Sequence, residues 1–230
     1  MKVGKTMLHS SYDLLRGLKN MGYLKGIRDP LWWPHSGTFE VVVGALLTQQ
    51  TKWEKVEASL DNLKAHGLLS LEVLSCTSEK EIAHLIKPSG FYNTKALRLK
   101  LLCSNIIQRY GSFALFQKEV DREWLLSQKG IGMESADSIL CYACCRPVMV
   151  VDSYTSRLLS AFGYRFDHYM QMQEWLQEGI EESREKVALL YGCSLPLSTL
   201  YARFHGKIVE FSKAYIKGQR VDISLLESAL

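Results

Sequence analysis

Residues Gln128 to Leu159, QKGIGMESADSILCYACCRPVMVVDSYTSRLL, hold the densest set of candidate chemistry in the chain. Gly130-Ile131-Gly132 reads as a short hairpin, and the small residues Ser135 and Ala136 behind it open an apolar helical run. Glycines at such a turn let backbone N–H groups point outward at the head of a helix, where an anion such as a DNA phosphate can dock. Asp152 lies 20 residues past Gly132, after the apolar stretch VMVV and directly before a serine-rich helix start. A carboxylate at a fixed distance from a phosphate anchor suits work on a nucleotide sugar. Cleaving an N-glycosidic bond builds positive charge on the sugar, and a nearby carboxylate stabilises that charge or orients the attacking water. Asp is also a favoured N-cap, so Asp152 can cap the helix at Ser153 as well.

The elements that must hold these residues are helical. FEVVVGALLTQQ, TKWEKVEASLDNLKAH, SEKEIAHLIKP, NTKALRLKLLCSNIIQRYG, DREWLLSQKG and ESADSILCYACC repeat their apolar residues at about the helical period, with Gly or Pro near several ends. SYTSRLLSAFG, MQMQEWLQEGIEESRE, KVALLYGC and LSTLYARFHGKIVEFSKAYIKG continue the pattern beyond Asp152. PVMVVD alone looks strand-like. The expected fold class is all-α. No Pro-rich or Ser-rich linker divides the 230 residues, so a second domain must be interwoven with the first.

A 47% hydrophobic content and the absence of low-complexity tracts exclude a largely disordered chain. The net charge of +4 permits a phosphate-binding face without demanding one; Lys207, Lys213, Lys217 and Arg220 gather near the C-terminus and the other basic residues are scattered. The opening MKVGKTMLHSSYDLL lacks the apolar core of a secretory signal, and the apolar stretch Val41 to Leu47 is too short for a membrane span. Six cysteines are too sparse for a disulfide scaffold. These features predict a reduced, cytoplasmic protein with no membrane partner.

Four segments in order resemble the helix-hairpin-helix DNA glycosylases of the endonuclease III superfamily. KGIGMESA is similar to that family's LPGVG-type turn, VDSYTSRLL to its VDTH-type segment carrying the catalytic Asp, ALLTQQTKW (45–53) to its LLSAQ-type helix start, and GFYNTKA (90–96) to its Gly-Tyr-Asn-Lys-Ala turn. The likeness spans roughly residues 38 to 212. It implies two interwoven helical lobes with the active site in a cleft between them. A central bundle with the hairpin would occupy 38–147, and a second lobe 1–37 and 148–230.

The resemblance also assigns expected roles. Asp152 becomes the catalytic residue; Gly130, Ile131, Gly132 and Ser135 become DNA contacts. Gln50 matches the position that fills the hole left by an extruded base, with Gln49 the neighbouring choice of register. Members that also cleave the strand carry a lysine nucleophile two residues after the second glycine; Glu134 stands there, and a carboxylate cannot form a Schiff base. Iron–sulfur members carry four closely spaced cysteines after the catalytic Asp. This chain has only Cys193 there, so no cluster, and no cofactor or metal of any kind, is expected. Cys141, Cys144 and Cys145 read as packing residues. Lys207, where cluster ligands would begin, is either a surface lysine or a buried structural one needing a partner or a modification such as carbamylation.

Trp32-Trp33-Pro34 and Trp53, with Lys213, make the chain look most like bacterial type III 3-methyladenine glycosylases. A cationic alkylated purine stacks well on tryptophan, although the same residues could be core. The implied activity is monofunctional release of alkylated purines from double-stranded DNA by a monomer, in base excision repair. The alternatives are a glycosylase for uracil or mismatched thymine, and a non-catalytic DNA-binding module.

Overall fold

The computed structural model describes residues 8–25, 30–218 and 220–230. Residues 1–7 and 26–29, part of the expected lobe segment 1–37 and of the stretch read for an export signal, lie outside them. The described residues are all-α apart from one small hairpin. In chain order the helices are α1 (Ser11–Asn20), α2 (Phe39–Leu47), α3 (Trp53–Ala65), α4 (Leu71–Cys76), α5 (Glu79–Leu85), α6 (Tyr92–Tyr110), α7 (Phe113–Glu119), α8 (Arg122–Ser127) and α9 (Met133–Ser138). There follow α10 (Ser153–Ala161), α11 (Tyr169–Glu181), α12 (Arg184–Tyr191), α13 (Leu197–Tyr215) and α14 (Ser224–Glu227), with β1 (Ile216–Lys217) pairing antiparallel to β2 (Arg220–Val221). Among the described residues no helix is long and apolar enough to cross a membrane.

The chain divides into a central unit, Pro34–Arg146, and a discontinuous unit, Met1–Trp33 with Pro147–Leu230. In the central unit α2 is buried along its length, from Phe39 to Leu47 apart from a half-exposed Glu40. A helix apolar all round must sit inside other helices. Ser70, Ser78, Ser112 and Asp121 accept the first-turn N–H groups of Val73, Glu81, Leu115 and Trp124, capping α4, α5, α7 and α8. Each such cap contributes about 1 kcal/mol. Helices α1, α4, α7 and α14 were not anticipated. The last three complete fewer than two turns and leave little periodicity to read, whereas α5 and α8, equally short, were read as parts of the longer segments SEKEIAHLIKP and DREWLLSQKG.

The discontinuous unit is built around α13. From Leu200 to Ser212 all but Arg203 and Glu210 are buried, and Leu200, Tyr201, Phe204, Ile208 and Phe211 enter one core with Leu14, Leu15, Leu18, Leu158, Leu159 and Leu176.

Three expectations are corrected. ESADSILCYACC is not one regular helix: α9 ends at Ser138 and Ile139–Ala143 form a wider π-helical turn, closed by the Cys144 N–H on the Ile139 carbonyl at 3.0 Å. PVMVVD, read as strand-like but too short to need a partner sheet, is not a strand. Its buried backbone is satisfied by side chains instead: the Gln173 amide donates to the Met149 carbonyl at 2.6 Å and the Val151 N–H to the Tyr169 hydroxyl at 3.3 Å. Helix α13 stops at Tyr215, where IKG turns into the β1–β2 hairpin.

Candidate active site

Asp152 is the N-cap of α10, and its two carboxylate oxygens divide the work. Oδ1 accepts from the Thr155 N–H and the Thr155 hydroxyl, both at 2.8 Å. Oδ2 lies 3.4 Å from Nε2 of His205, which is buried in α13. That separation is an ion-pair distance and long for a charge-assisted hydrogen bond. Only 13% of the Asp152 side chain is exposed. Burial alone would push this carboxyl up; His205 and the two Thr155 donors outweigh it and hold the carboxyl below the ordinary aspartate value. Asp152 is therefore ionised at neutral pH, with one oxygen fixed by a helix end and the other beside an imidazole.

The same imidazole touches Trp32 edge-on, with ring centroids 5.4 Å apart. Trp32 has φ +81°, a left-handed conformation that costs on the order of 1 kcal/mol or more for a bulky side chain. Its surroundings hold it there. The indole N–H donates to Glu210 at 3.1 Å, the Trp33 ring meets it edge-on at 6.2 Å, and the Lys213 ammonium lies 5.8 Å from its ring centroid. Gly206 makes this possible: a Cβ there would lie 2.4 Å from the Trp32 ring. Gly206, Glu210 and Lys213 recur at i, i+4 and i+7 and so share one helix face. Trp33 itself is buried at 8% exposure.

Lys207 points elsewhere. It is 2% exposed, and its ammonium donates to the Tyr23 carbonyl at 2.6 Å. Burial, together with the nearby charges of Arg203 and Lys19, lowers its pKa to about 8.

In the central unit the hairpin rests on backbone conformation. Gly130 has φ +86°, and a Cβ there would meet the Arg98 side chain at 2.4 Å, so only glycine fits. Gly132 caps α9 in an extended conformation. Ile131, expected as a DNA contact, is buried, and its N–H donates to the Gln128 carbonyl at 3.1 Å, whereas Gly132 is exposed. Behind the hairpin, Asp137 is fully buried and gripped by Arg122 through two contacts of 2.7 and 3.0 Å, which ties α9 to α8. Ser135, expected as a DNA contact, is 7% exposed and its hydroxyl accepts from Gln49 at 3.0 Å. Its side chain is turned inward, which corrects that expectation for the hydroxyl.

Gln49 also donates to the Gly130 carbonyl at 2.8 Å. Its amide is thus committed to the hairpin, whereas Gln50 is exposed at φ +53°. Lys95, 2% exposed, donates to the Leu47 and Ser89 carbonyls at 2.8 Å and to the Thr51 hydroxyl at 2.7 Å. It joins the Gln50 turn to the turn before α6, where Phe91 stands 69% exposed at φ +45°. Trp53, the first residue of α3, is half-buried, and Pro34 is exposed; both belong to the central unit.

The structure thus brings Asp152, Trp32 and Lys213 into one cluster, and Gln50, Gly130 and Gly132 into another. Sequence reasoning missed His205 and Glu210 as parts of the first, and Lys95, Arg98 and Phe91 as parts of the second. The GFYNTKA segment carried Lys95 and Phe91 in plain view, and FHGKIVE carried His205 and Glu210. Of the cysteines read as packing residues, Cys141 is buried and Cys144 half-buried, but Cys145 is exposed at φ +53°. Burial pushes the Cys144 thiol up to about 12, against the Arg146 charge, so it stays protonated.

A family model for HhH-GPD superfamily base excision DNA repair proteins matches residues 43–182. The chain belongs to the HhH-GPD superfamily. A putative DNA repair glycosylase of Methanocaldococcus jannaschii is 36% identical over 193 residues, covering 81% of each chain. Among solved structures, the H. pylori 3-methyladenine DNA glycosylase bound to 1,N6-ethenoadenine superposes with a TM-score of 0.86 at 44% identity, covering 90% of this chain and 99% of that one. A non-covalent endonuclease III–DNA complex superposes at 0.68 with 19% identity, covering 95% and 94%, and shares the fold alone. The superfamily frame is therefore filled here with a Trp32–His205–Asp152 cluster and only Cys193 after the aspartate. That cysteine content does not fit an iron–sulfur cluster.

Proposed function

We propose that this superfamily member is a monofunctional DNA glycosylase that binds duplex DNA as a monomer and hydrolyses the N-glycosidic bond of alkylated purines, 3-methyladenine foremost. The observation that carries the reading is Asp152: a mostly buried carboxylate, ionised, held by Thr155 and His205, and linked through His205 to the Trp32 ring. A carboxyl held low is a weak proton acceptor and a strong electrostatic stabiliser. Its first role is to oppose the positive charge that grows on the sugar as the base departs, and its second to orient water toward that carbon. An alkylated purine in DNA already carries positive charge and leaves readily, so the protein needs no dedicated acid. The hairpin amides around Gly130 and Gly132 receive the phosphate, Gln50 fills the vacated stack, and Phe91 offers an exposed aromatic surface on the adjoining turn.

Glu134 is exposed at the start of α9, where strand-cleaving relatives need a lysine. The product is then an abasic strand that breaks only on alkali treatment. Incubation with alkylated DNA, followed by identification of the released bases, tests the reading. Release of 3-methyladenine with an intact strand is expected. A protein–DNA adduct trapped in good yield by borohydride would overturn the water mechanism. Release of uracil faster than 3-methyladenine would hand the site to the alternative lesion class.

A further inference from the structure

Lys213 is an odd neighbour for a pocket that takes a cationic base. Its ammonium lies 5.8 Å from the Trp32 ring centroid, and a second cation stacked on that ring would be repelled. Glu210 answers this. Its Oε1 accepts the Trp32 indole N–H at 3.1 Å and lies 3.5 Å from the Lys213 ammonium, so one carboxylate both fixes the ring and offsets the charge. Both side chains are about two-fifths exposed, at 40% and 42%, which leaves the pair on the surface of α13 where a base brought to Trp32 would meet it. Among the described residues, the Asp152 carboxylate also belongs to this cluster, through His205, which meets Trp32 edge-on.

We propose that Glu210 is a specificity-determining residue: it holds the plane of Trp32 and compensates Lys213, so that cationic purines are accepted at this wall. The proposal rests on the glycosylase reading above and deepens it. The two duties of Glu210 separate chemically. Glu210→Gln keeps an oxygen for the indole N–H but removes the negative charge. Glu210→Gln with Lys213→Met removes both charges and keeps the ring contact.

The test is binding of two free bases, followed by quenching of tryptophan emission. One is cationic, the 3,9-dimethyladeninium ion; the other is neutral 1,N6-ethenoadenine. Glu210→Gln should weaken the cation about tenfold, equivalent to about 1.4 kcal/mol, and change the neutral base by less than about twofold. Adding Lys213→Met should restore cation binding to within about threefold of wild type, because no net charge is left to repel it. A purely structural Glu210 would move both bases together. Equal losses for the two bases, no change for either, failure of the double variant to recover, or a wild-type protein that binds neither base would each overturn the proposal. Base release from alkylated DNA by the wild type is scored separately. Its absence overturns the glycosylase reading, whereas an unaltered preference between bases in Glu210→Gln overturns only the inference about Glu210.

Discussion

Around Asp152 the working contacts are made by side chains, and most carry charge: carboxylate against imidazole, carboxylate against indole N–H, ammonium over a ring. Around the hairpin the nearest ones are made by backbone and neutral amides, and the one charged pair, Arg122 with Asp137, is turned inward to tie α9 to α8. Gly130 bends the chain, Gln49 holds the Gly130 carbonyl, and even the buried Lys95 spends its ammonium on two carbonyls and a hydroxyl. The contrast follows from what each region has to meet. Phosphates repeat along every duplex, so a surface of fixed amides that reads no sequence serves best. A leaving base and a sugar turning positive are single events, and charges preorganised at one point stabilise them more than generic contacts can. If this division is right, damage to the first region should fall on turnover and damage to the second on binding or folding.

The largest effect should come from Asp152→Asn. The amide cannot oppose positive charge on the sugar, and loss of one preorganised electrostatic partner costs about 3–4 kcal/mol, or some hundred- to thousandfold in rate. Affinity for lesion-containing duplex should stay within a few fold of wild type. Single-turnover base release and equilibrium DNA binding measure the two separately. Near-normal release would take Asp152 out of the chemistry and dissolve the comparison. The amide also keeps an oxygen for the Thr155 N–H, so α10 stays capped and the loss is not a folding defect.

Next is Lys95→Met in the other region. It removes three hydrogen bonds and leaves the Leu47 carbonyl without the donor that caps the end of α2. Buried polar groups left unpaired cost about 1–3 kcal/mol each, so a loss of about 2–4 kcal/mol of stability is expected. Urea unfolding measures it. The region should fail by unfolding, with the release rate per folded molecule nearly intact. A stable Lys95→Met protein with slow chemistry would show that the two regions do not divide the labour as described.

Gly130→Val sharpens the same point with less damage. A β-branched residue at φ +86° is strained, and its Cβ would collide with the Arg98 side chain. Affinity for undamaged and damaged duplex should fall together, by about ten- to a hundredfold at fixed salt, because phosphate contacts position without specifying. A loss confined to damaged DNA would place the hairpin at the lesion.

How much of this was legible without coordinates follows the same contrast. The glycine hairpin and Asp152 could be read because their chemistry is local: one turn, one cap, one short segment. Most helices with two or more turns of apolar periodicity could be read as well, although the ten-residue α1 was passed over. His205, Glu210 and Trp32 were not legible as a set, because they meet only when residues 30–33 lie along α13, more than 170 positions away. The strand-like look of PVMVVD could not name its backbone partners, for a related reason. Apolar alternation reports burial, while the partners of its backbone, Gln173 and Tyr169, come from α11. Gln49 and Gln50 are indistinguishable by type, and only the hydrogen bond to Gly130 separates them.

The smallest effect concerns the two buried lysines, one in each region. Lys95 and Lys207 both have pKa values lowered to about 8 by burial, but Lys95 has three oxygen acceptors, and Lys207 is further disfavoured by Arg203 and Lys19. A lysine that titrates near 8 in the fold and near 10.4 when unfolded binds more protons in the unfolded chain across that interval. Unfolding free energy contributed by Lys207 therefore rises as pH increases from about 8 toward about 10, and is lowest below 8, where the charge is buried. Other groups work in the opposite direction: the Cys103 and Cys144 thiols and the Tyr23 hydroxyl are pushed up to about 12 by burial, and keeping them protonated costs stability as pH rises. They are common to wild type and Lys207→Met, so they cancel in the difference. The stability of wild type relative to Lys207→Met should thus improve by on the order of 1–2 kcal/mol between pH 7 and pH 10. Paired denaturant titrations at several pH values read this directly. A difference independent of pH over that interval would mean that Lys207 titrates alike in the folded and unfolded chain, so that its contact with the Tyr23 carbonyl fully offsets the burial of its charge.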